Sequence, residues 1–315
     1  MVRDLSSERI LLTGGSGFLG SHVIEELCSR GVKKKNIIAP RSRDLDLRKW
    51  ENCLKAVEGA DIVIHLAAKV GGIGFNLKFP GELFYDNALM GIQLMEAARQ
   101  KGVEKFVAVG TVCSYPKHTP VPFKEDNLWD GYPEETNAPY GVAKKALLVQ
   151  AQSYRKQYGF NAVYLIPVNL YGPGDHFDPE DAHVIPALIL KFIDAKERGF
   201  RKVSAWGTGS VSREFLYVKD AARGIVKAAE RYDKGEPVNL GSGEEIGIKD
   251  LVNMIKDMTG YEGEVEWDAS RPDGQPRRKL DVTKARVEFG FESEIRLAEG
   301  LRGTIEWYKK NKSRL

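Results

Sequence analysis

Apolar runs and amphipathic segments alternate through the first half of the chain. Short runs rich in β-branched residues predict strands over residues 9–13, 36–39, 61–66, 105–109 and 162–167. Between them, the apolar spacing over residues 81–100 and 140–158 is typical of amphipathic helices. Strands that alternate with helices build βαβ units, in which the strands lie parallel. We therefore expect an α/β fold with a doubly wound parallel sheet.

The pattern changes after residue 172. Long polar loops, GPGDHFDPEDAH and DASRPDGQPRRK, lie among predicted helices over residues 185–198, 218–232 and 248–258 and shorter strands. Loops this long in a compact protein are usually functional. We expect residues 1–172 to form one domain and residues 173–315 to form mainly a smaller C-terminal α/β lobe. The segment 210–242 is expected to return and pack on the first sheet.

Composition excludes several classes of protein. The 47 basic and 44 acidic residues are interspersed and leave a formal charge of +3, which argues against a nucleic-acid or anionic-membrane surface. Cys28, Cys53 and Cys113 form an odd set without CxxC spacing, which favours a reducing compartment over disulfides or a metal site. No apolar run approaches the ~20 residues of a membrane span. We expect a cytoplasmic protein without a metal.

A glycine-rich turn gives the first chemical signal. In RILLTGGSGFLGSHV, Gly14, Gly17 and Gly20 follow the first strand and open the first helix. Glycines allow a tight turn and close backbone approach, and the N-terminus of a helix offers free N–H groups to a pyrophosphate. The alternative is an ordinary Gly-rich turn. The position of the glycines, directly between the first strand and the first helix, favours a dinucleotide site in a Rossmann-type domain.

The end of the second strand bears on which dinucleotide is bound. An NAD site usually has an acidic residue there for the ribose 2′-hydroxyl, but this chain has Arg41 and Arg43 in IIAPRSRD. Guanidinium groups suit a 2′-phosphate, so we expect NADP(H). Both arginines could instead be solvated loop residues. Asp44 and Asp46 keep NAD as an alternative.

A tyrosine, a lysine and a threonine give the second signal. Tyr140 and Lys144 are four residues apart at the start of a helix and therefore share one face. An ammonium group beside a phenol stabilises the phenolate, and the hydroxyl of Thr111, at the tip of the fourth strand, can complete a proton path to a sugar oxygen. The combination is more specific than YxxxK alone.

These motifs resemble the extended short-chain dehydrogenase/reductase superfamily, whose members act on nucleotide sugars. The resemblance runs nearly end to end and rests on TGGSGFLG, HLAA, Thr111, Tyr140 with Lys144, PVNLYGPGD and WGTGSVSREFLYVKD. It implies a dinucleotide-binding N-terminal domain, a smaller substrate domain and a homodimer. It also implies that the cofactor contacts Gly14, Ser16, Gly17, Phe18, Leu19, Gly20, Arg41, Arg43, Leu66, Ala67, Ala68, Lys144, Pro167, Asn169, Leu170 and His183.

Within the superfamily, the chain is most similar to the GDP-L-fucose synthases, which epimerise carbons 3 and 5 of GDP-4-keto-6-deoxy-D-mannose and reduce carbon 4. The shared stretches are HLAAKVGGI, VCSYPK, NLYGPGDHFDPEDAHVIPAL and WGTGSVSREF. The resemblance implies that Cys113 is the base and His183 the acid of both epimerisations. It implies substrate contacts from Asn169, Lys191, Trp206, Arg213 and Asp273. Val112 and Cys113 replace the Asp–Glu pair of the dehydratases, which disfavours dehydration.

Other interpretations stay open. Cys113 could be an inert core residue, and His183 a loop or cap histidine. The chain could use all or half of this chemistry on another nucleotide sugar, such as a GDP-linked keto-heptose, or act as a UDP-sugar 4-epimerase. It could also be a regulatory protein that binds NAD(P). Three departures from the family bear on the site: Lys191 stands for an arginine, Thr111 for a serine and Ser16 for an arginine.

Overall fold

A computed structural model describes residues 2–178, 182–271 and 273–315 of the chain. Its centre is a parallel six-stranded sheet with the order β2-β1-β3-β4-β5-β9. The strands are β1 (Ile10–Thr13), β2 (Ile37–Ile38), β3 (Ile62–His65), β4 (Lys105–Val109), β5 (Ala162–Pro167), β6 (Asn169–Tyr171), β7 (Lys202–Trp206), β8 (Ser212–Tyr217), β9 (Val238–Leu240), β10 (Glu245–Gly247) and β11 (Glu264–Asp268).

Helices cover both faces of the six-stranded sheet. On one face α1 packs against α7, and on the other α4 packs against α5 and α2. The helices are α1 (Phe18–Ser29), α2 (Trp50–Ala56), α3 (Ile73–Lys78), α4 (Pro80–Gln100), α5 (Ala138–Tyr158), α6 (Val184–Arg198), α7 (Val218–Arg231), α8 (Ile248–Thr259), α9 (Thr283–Phe289) and α10 (Leu297–Asn311). Strands covered on both faces are mainly apolar, and β1, β3, β4 and β5 are buried at every position, including Thr13, His65 and Lys105. The predicted doubly wound parallel sheet is confirmed.

A second, smaller core lies in the C-terminal part of the chain. A three-stranded sheet, β10-β8-β6, and a parallel pair, β11-β7, pack with α6, α8 and α10. Their shared core contains Ile189, Phe192, Leu251 and Leu301, all of which are fully or almost fully buried. This core is separate from the one around the six-stranded sheet. It places the start of α6 and the polar loops beside the ends of the central strands.

Several predicted bounds differ from the observed ones. Strand β2 spans only Ile37–Ile38, whereas the apolar run predicts residues 36–39. Helix α5 begins at Ala138 rather than residue 140, because Pro139 suits the first turn of a helix, where its missing N–H is not needed. In the described residues, no helix combines the length and apolar character needed to cross a bilayer.

Candidate active site

Two adjoining cavities open at the carboxyl ends of the central strands. The larger, about 860 Å³, is lined by residues that follow β1, β3, β4 and β5. The smaller, about 290 Å³, lies between that edge and the C-terminal core. The residues that line both are Gly71, Asn76, Cys113, Asn137, Asn169, Leu170 and His183, and we call them the junction. Open α/β sheets bind ligands at this edge.

The glycine turn shapes the floor of the larger cavity. A Cβ on Gly20 would lie 2.1 Å from the carbonyl oxygen of Gly14, so the close approach of α1 to the turn requires glycine. Helix α1 begins after Gly17 without a side-chain cap, which leaves N–H groups free for an anionic group. This arrangement fits the pyrophosphate of a dinucleotide.

Every residue implied by the resemblance to contact the cofactor lines the larger cavity. They are Gly14, Ser16, Gly17, Phe18, Leu19, Gly20, Arg41, Arg43, Leu66, Ala67, Ala68, Lys144, Pro167, Asn169, Leu170 and His183. They come from turns far apart in sequence, which the parallel sheet brings to one edge.

The rim of the larger cavity after β2 is rich in cations. Arg41 and Arg43 line it and are exposed, and Arg43 Nε lies 3.7 Å from Asp44 Oδ1. Asp46 is engaged elsewhere, because Arg48 Nε donates to its Oδ1 at 2.9 Å. These hydrogen bonds from Arg48 hold the pKa of Asp46 below its usual range. Arg48 also lines the cavity and was not singled out from the sequence.

Thr111, Tyr140 and Lys144 all line the larger cavity. Lys144 is buried and its Nζ donates to the carbonyl oxygen of Val109 at 3.1 Å. Burial lowers the pKa of Lys144 to about 8. Burial also raises the pKa of Tyr140, with a smaller contribution from Cys113, so the phenol holds its proton at neutral pH.

A close contact joins α5 to the turn that carries Cys113. Residues Val112–Ser114 form one 3₁₀ turn, capped by Thr111 Oγ1, which accepts from the N–H of Cys113 at 3.2 Å. A Cβ on Gly141 would lie 2.3 Å from the carbonyl oxygen of Cys113. Because glycine stands there, the helix bearing Tyr140 packs directly on this turn.

The thiol of Cys113 is surrounded by polar groups. It donates to Asn137 Oδ1 at 3.7 Å, and Arg278 Nη1 lies 3.9 Å from the sulfur. Asn137 is itself held, because its Nδ2 donates to Glu134 Oε2 at 2.5 Å and its Oδ1 accepts from Asn76 Nδ2 at 3.1 Å. A cysteine in an apolar core would lack polar side chains of this kind next to its sulfur.

Cys53 has the opposite environment. It is fully buried, and its thiol donates to the carbonyl oxygen of Leu47 at 3.1 Å. Burial raises its pKa to about 12. Cys113 is only partly buried and faces both cavities, so a reagent or substrate can reach its sulfur.

His183 precedes the first residue of α6 and lines both cavities at the junction, whereas Cys113 lies in the turn after β4. Solvent reaches its imidazole through the cleft, yet protein surrounds it closely enough to lower its pKa. His176 and Arg278 add smaller contributions in the same direction. His65, by contrast, is fully buried, with Nδ1 2.8 Å from Thr13 Oγ1.

The smaller cavity holds the side chains that the resemblance implies for the substrate: Asn169, Lys191, Trp206, Arg213 and Asp273. Lys191 Nζ donates to the carbonyl oxygen of Ser204 at 2.9 Å and lies 5.8 Å from the centre of the Trp206 ring. Trp206 is 42% exposed, which leaves ring surface for stacking.

Arg213 and Asp273 are joined by a hydrogen bond. Arg213 Nη2 donates to the carbonyl oxygen of Asp273 at 2.8 Å, and burial lowers the pKa of Arg213 to about 9. Both carboxylate oxygens of Asp273 accept from Thr208, from its N–H and its hydroxyl, each at 2.8 Å. In this structure the Asp273 carboxylate therefore fixes the loop that follows Trp206.

Sequence reasoning missed Arg278, Asn137 and Glu134. Arg278 lies in the loop DASRPDGQPRRK, whose length suggests function, but no spacing relates it to Cys113, 165 residues away. Asn137 is visible only as the residue before a helix. Their proximity to the thiol arises from tertiary packing.

Comparison with known proteins identifies the relatives of this chain. The NAD dependent epimerase/dehydratase family matches residues 10–241. A protein of Oryza sativa named probable GDP-L-fucose synthase 1 is 40% identical, over 96% of this chain and 92% of its own. The GDP-L-fucose synthase of Escherichia coli is 37% identical, over 98% of this chain and 99% of its own.

Solved structures agree with the sequence comparison. A GDP-6-OMe-4-keto-L-xylo-heptose reductase from C. jejuni has a TM-score of 0.88 and 28% identity, covering 97% of this chain and 99% of its own. A GDP-L-fucose synthetase from Naegleria fowleri, bound to NADP, has a TM-score of 0.85 and 28% identity, covering 98% and 96%. Both matches cover nearly the whole of this chain, so they include residues of both hydrophobic cores.

Proposed function

The chain belongs to the NAD dependent epimerase/dehydratase family, and from that premise we propose that it converts GDP-4-keto-6-deoxy-D-mannose to GDP-L-fucose with NADPH. Relatives named GDP-L-fucose synthase match over almost its full length. The observation that carries the proposal is the junction, where Cys113 and His183 face one space that Tyr140 and Lys144 border from the cofactor side.

Cys113 and His183 perform the two epimerisations. The hydrogens on carbons 3 and 5 are acidic because both carbons adjoin the 4-keto group. The thiolate of Cys113 takes a proton and leaves an enolate, and the imidazolium of His183, made more acidic by its lowered pKa, gives a proton to the opposite face of the same carbon. Before the next carbon reacts, the thiol loses its proton to solvent and the imidazole regains one from solvent. The two side chains come from different elements that meet at the junction, as opposite-face chemistry requires.

Tyr140 and Lys144 serve the reduction of carbon 4. When bound in the larger cavity, NADPH supplies the hydride that carbon 4 receives. Tyr140 donates its proton to the oxygen on carbon 4, and its raised pKa suits an acid that must stay protonated at neutral pH. Lys144 stabilises the phenolate that remains.

The rim of the larger cavity supports NADPH over NADH. Arg41 and Arg43 are exposed there, where the 2′-phosphate of the adenosine ribose would lie. Asp46, the acidic residue that could hold a free ribose hydroxyl, is already bonded to Arg48. NAD stays an alternative because the chain has Asp44 on the same loop.

The smaller cavity suits the nucleotide end of the substrate. Arg213 and Lys191 are partly buried cations that can bind a diphosphate, and the exposed ring face of Trp206 can stack on a base. Asn169 lies between the two cavities and can orient the sugar. Asp273 contributes by holding the Trp206 loop and Arg213 in place.

A second candidate is a reductase or epimerase for another nucleotide sugar. The C. jejuni heptose reductase has a fold so similar that the fold cannot separate the two functions. A UDP-glucose 4-epimerase from Thermotoga maritima also matches, with a TM-score of 0.84 and 27% identity. A reductase without epimerisation would not need the Cys113–His183 pair, so stereochemistry of the product separates these functions.

Product analysis tests the proposal. The purified protein is incubated with NADPH and GDP-4-keto-6-deoxy-D-mannose, and the sugar product is identified by NMR. The proposal predicts GDP-L-fucose, with inversion at carbons 3 and 5. A product reduced at carbon 4 but not inverted, or turnover of a GDP-keto-heptose alone, would support the second candidate.

We propose a homodimer that forms through the outer face of α4 and α5. Phe84, Tyr85 and Ile92 on α4 and Val149 on α5 are large apolar side chains that are 41–62% exposed. Gln150 Nε2 donates to the carbonyl oxygen of Ile92 at 3.0 Å, which brings the two helices into one surface. Such a surface is typical of an interface. Sedimentation of Ile92→Glu should show monomers, whereas an unchanged sedimentation coefficient would exclude this surface.

We also propose a cytoplasmic location. Cys28, Cys53 and Cys113 are all free, and the proposed chemistry needs a free thiol at Cys113. A reducing compartment maintains thiols in that state. Fractionation of cells that express the chain should place it with the cytoplasmic proteins.

A further inference from the structure

Two groups of opposite character flank the sulfur of Cys113. Asn137 Oδ1, at 3.7 Å, is a hydrogen-bond acceptor and suits the protonated thiol. Arg278 Nη1, at 3.9 Å, is a charged donor and suits the thiolate. A sulfur that alternates between these two states therefore has a partner in each of them.

Arg278 is held rigidly in its place. It is 7% exposed, its Nη1 donates to Asn169 Oδ1 at 3.0 Å, and its Nε donates to Gln275 Oε1 at 3.2 Å. Gln275 in turn donates to the carbonyl oxygen of Pro116 at 3.0 Å, on the segment that follows Cys113. Burying a charged group costs folding free energy unless a group of opposite charge lies beside it, and a thiolate at Cys113 would be such a group.

The next residues of this segment are anchored as well. The N–H of Leu280 donates to Glu214 Oε2 at 2.6 Å, and Glu214 is fully buried. The carbonyl oxygen of Lys279 accepts from the N–H of Phe123 at 2.7 Å. The backbone on the C-terminal side of Arg278 is therefore fixed to β8 and to the loop after β4.

The other charged or titratable groups around the thiol are few in the described residues. Arg213 is a second cation, and its charge interacts with Cys113. Tyr140 is a neutral phenol, and His183 faces the junction. Glu134 stands behind Asn137, and its carboxylate accepts from Asn137 and Thr136. Among these groups the two cations, Arg278 and Arg213, favour a negative charge on the sulfur.

We propose that Arg278 is a positioning residue that stabilises the thiolate of Cys113, and that Asn137 holds the sulfur in the same place when it is protonated. The proposal deepens the proposed function, because it rests on Cys113 as the base of the epimerisations. In each epimerisation the thiolate becomes a thiol on taking the proton from carbon, and it releases that proton to solvent in the cavity before the next one. Arg278 keeps its charge throughout.

Alkylation of the resting protein measures the thiolate directly. The rate of reaction of Cys113 with iodoacetamide is followed by mass spectrometry of its peptide as a function of pH. Cys28, exposed on α1, serves as the reference thiol within the same molecule. We expect Cys113 to react at lower pH than Cys28, since the thiolate is the reactive form and Arg278 lies beside the Cys113 sulfur.

Variants assign this difference to Arg278. In Arg278→Gln the Cys113 profile should move toward that of Cys28, and the rate at pH 7 should fall about tenfold for each pH unit of that movement. Arg278→Lys should fall between wild type and Arg278→Gln, because it keeps the charge but not the donor geometry. The matched control is Arg277→Gln, since Arg277 is an exposed neighbour paired with Glu245. Its profile should match that of wild type.

Two results would overturn the proposal. One is a wild-type Cys113 profile that coincides with that of Cys28, which decides the question even where Arg278→Gln does not fold. The other is an Arg278→Gln profile that superimposes on wild type, which would leave Arg278 as a substrate contact. Alkylation needs no substrate, so a low midpoint without exchange of hydrogens on carbons 3 and 5 would reject the proposed function and not this inference.

Discussion

At the scale of single residues, the site is a set of side chains whose protonation states follow from burial. Tyr140 is held as a phenol and Lys144 near the point of losing its proton. Cys113, in contrast, faces polar groups at the meeting of two cavities. The two halves of the proposed reaction therefore use separate groups, and single substitutions should separate them.

Tyr140→Phe should remove the reduction and spare the epimerisations. Without the phenolic proton, the rate of NADPH oxidation should fall by ~10²- to 10⁴-fold, as for other lost general acids. Exchange of the hydrogens on carbons 3 and 5 with solvent should stay close to wild type. Near-normal NADPH oxidation by Tyr140→Phe would exclude Tyr140 as the acid.

We expect Lys144 to set the alkaline side of the pH profile for reduction. Its pKa of about 8 means that the ammonium form dominates below pH 8 and is lost as the pH rises through that value. The charge that we propose stabilises the Tyr140 phenolate disappears with it, so kcat for reduction should decline above about pH 8. A profile that stays flat to pH 10 would show that reduction does not depend on this charge.

We expect the preference for NADPH to depend on Arg41 and Arg43, the arginines after β2. The KM for NADPH should be lower than that for NADH in wild type, and Arg43→Ala should raise the KM for NADPH while changing that for NADH little. Arg198→Ala, on the far end of α6, is a suitable control because its side chain is exposed and paired with Asp194. Equal constants for both cofactors in wild type would contradict the assignment.

At the scale of elements, the geometry of the site depends on how closely helices approach turns. Helix α5 rests on the 3₁₀ turn of Cys113 through Gly141, and Ser114 Oγ donates to the carbonyl oxygen of Gly141 at 2.9 Å. This contact couples the position of Tyr140 to that of Cys113. A methyl group at residue 141 should therefore disturb both halves of the reaction.

Gly141→Ala should lower stability and activity together. Its Cβ would overlap the carbonyl oxygen of Cys113, and overpacking of this kind costs about 1–3 kcal/mol. The control is Gly81→Ala in the first turn of α4, where a Cβ meets nothing within 4 Å, so the free energy of unfolding should stay equal or rise slightly. Denaturant unfolding measures the free energy of unfolding of both variants. Equal stability of the two variants would contradict the close packing of α5.

Sequence pattern predicted the regular elements well and the tertiary site only in part. The five predicted strands and two predicted helices of the first 172 residues lie within a few residues of their expected bounds, because each combines an apolar pattern with clear turn residues, whereas α2, α3 and β6 were not predicted. The pattern could not reveal Arg278. Its position beside Cys113 depends on a tertiary contact, in which the N–H of Leu280 donates to the buried Glu214. Asp273 was expected at the substrate, but its carboxylate also fixes Thr208, a contact that no spacing reveals.

In the whole molecule, two hydrophobic cores support the elements that line the two adjoining cavities. The core around the six-stranded sheet carries the glycine turn, Thr111 and Tyr140, and the smaller core carries α6 and β7. We propose that they correspond to the NAD(P)-binding domain at residues 1–172 and the substrate lobe at 173–315. Segments cross between them, since α7 and β9 return to the main sheet. His183 and Cys113 come from opposite sides of this boundary.

We expect Cys113 to remove the hydrogens from carbons 3 and 5 before any reduction takes place. The most direct test is incubation of GDP-4-keto-6-deoxy-D-mannose with the protein in heavy water without NADPH, followed by mass spectrometry of the sugar. Wild type should incorporate deuterium at both carbons, and Cys113→Ala should incorporate none above the uncatalysed rate while still reducing the 4-keto group when NADPH is added. Undiminished deuterium uptake by Cys113→Ala would show that the thiol is not the base and would leave this chain a simpler reductase or 4-epimerase.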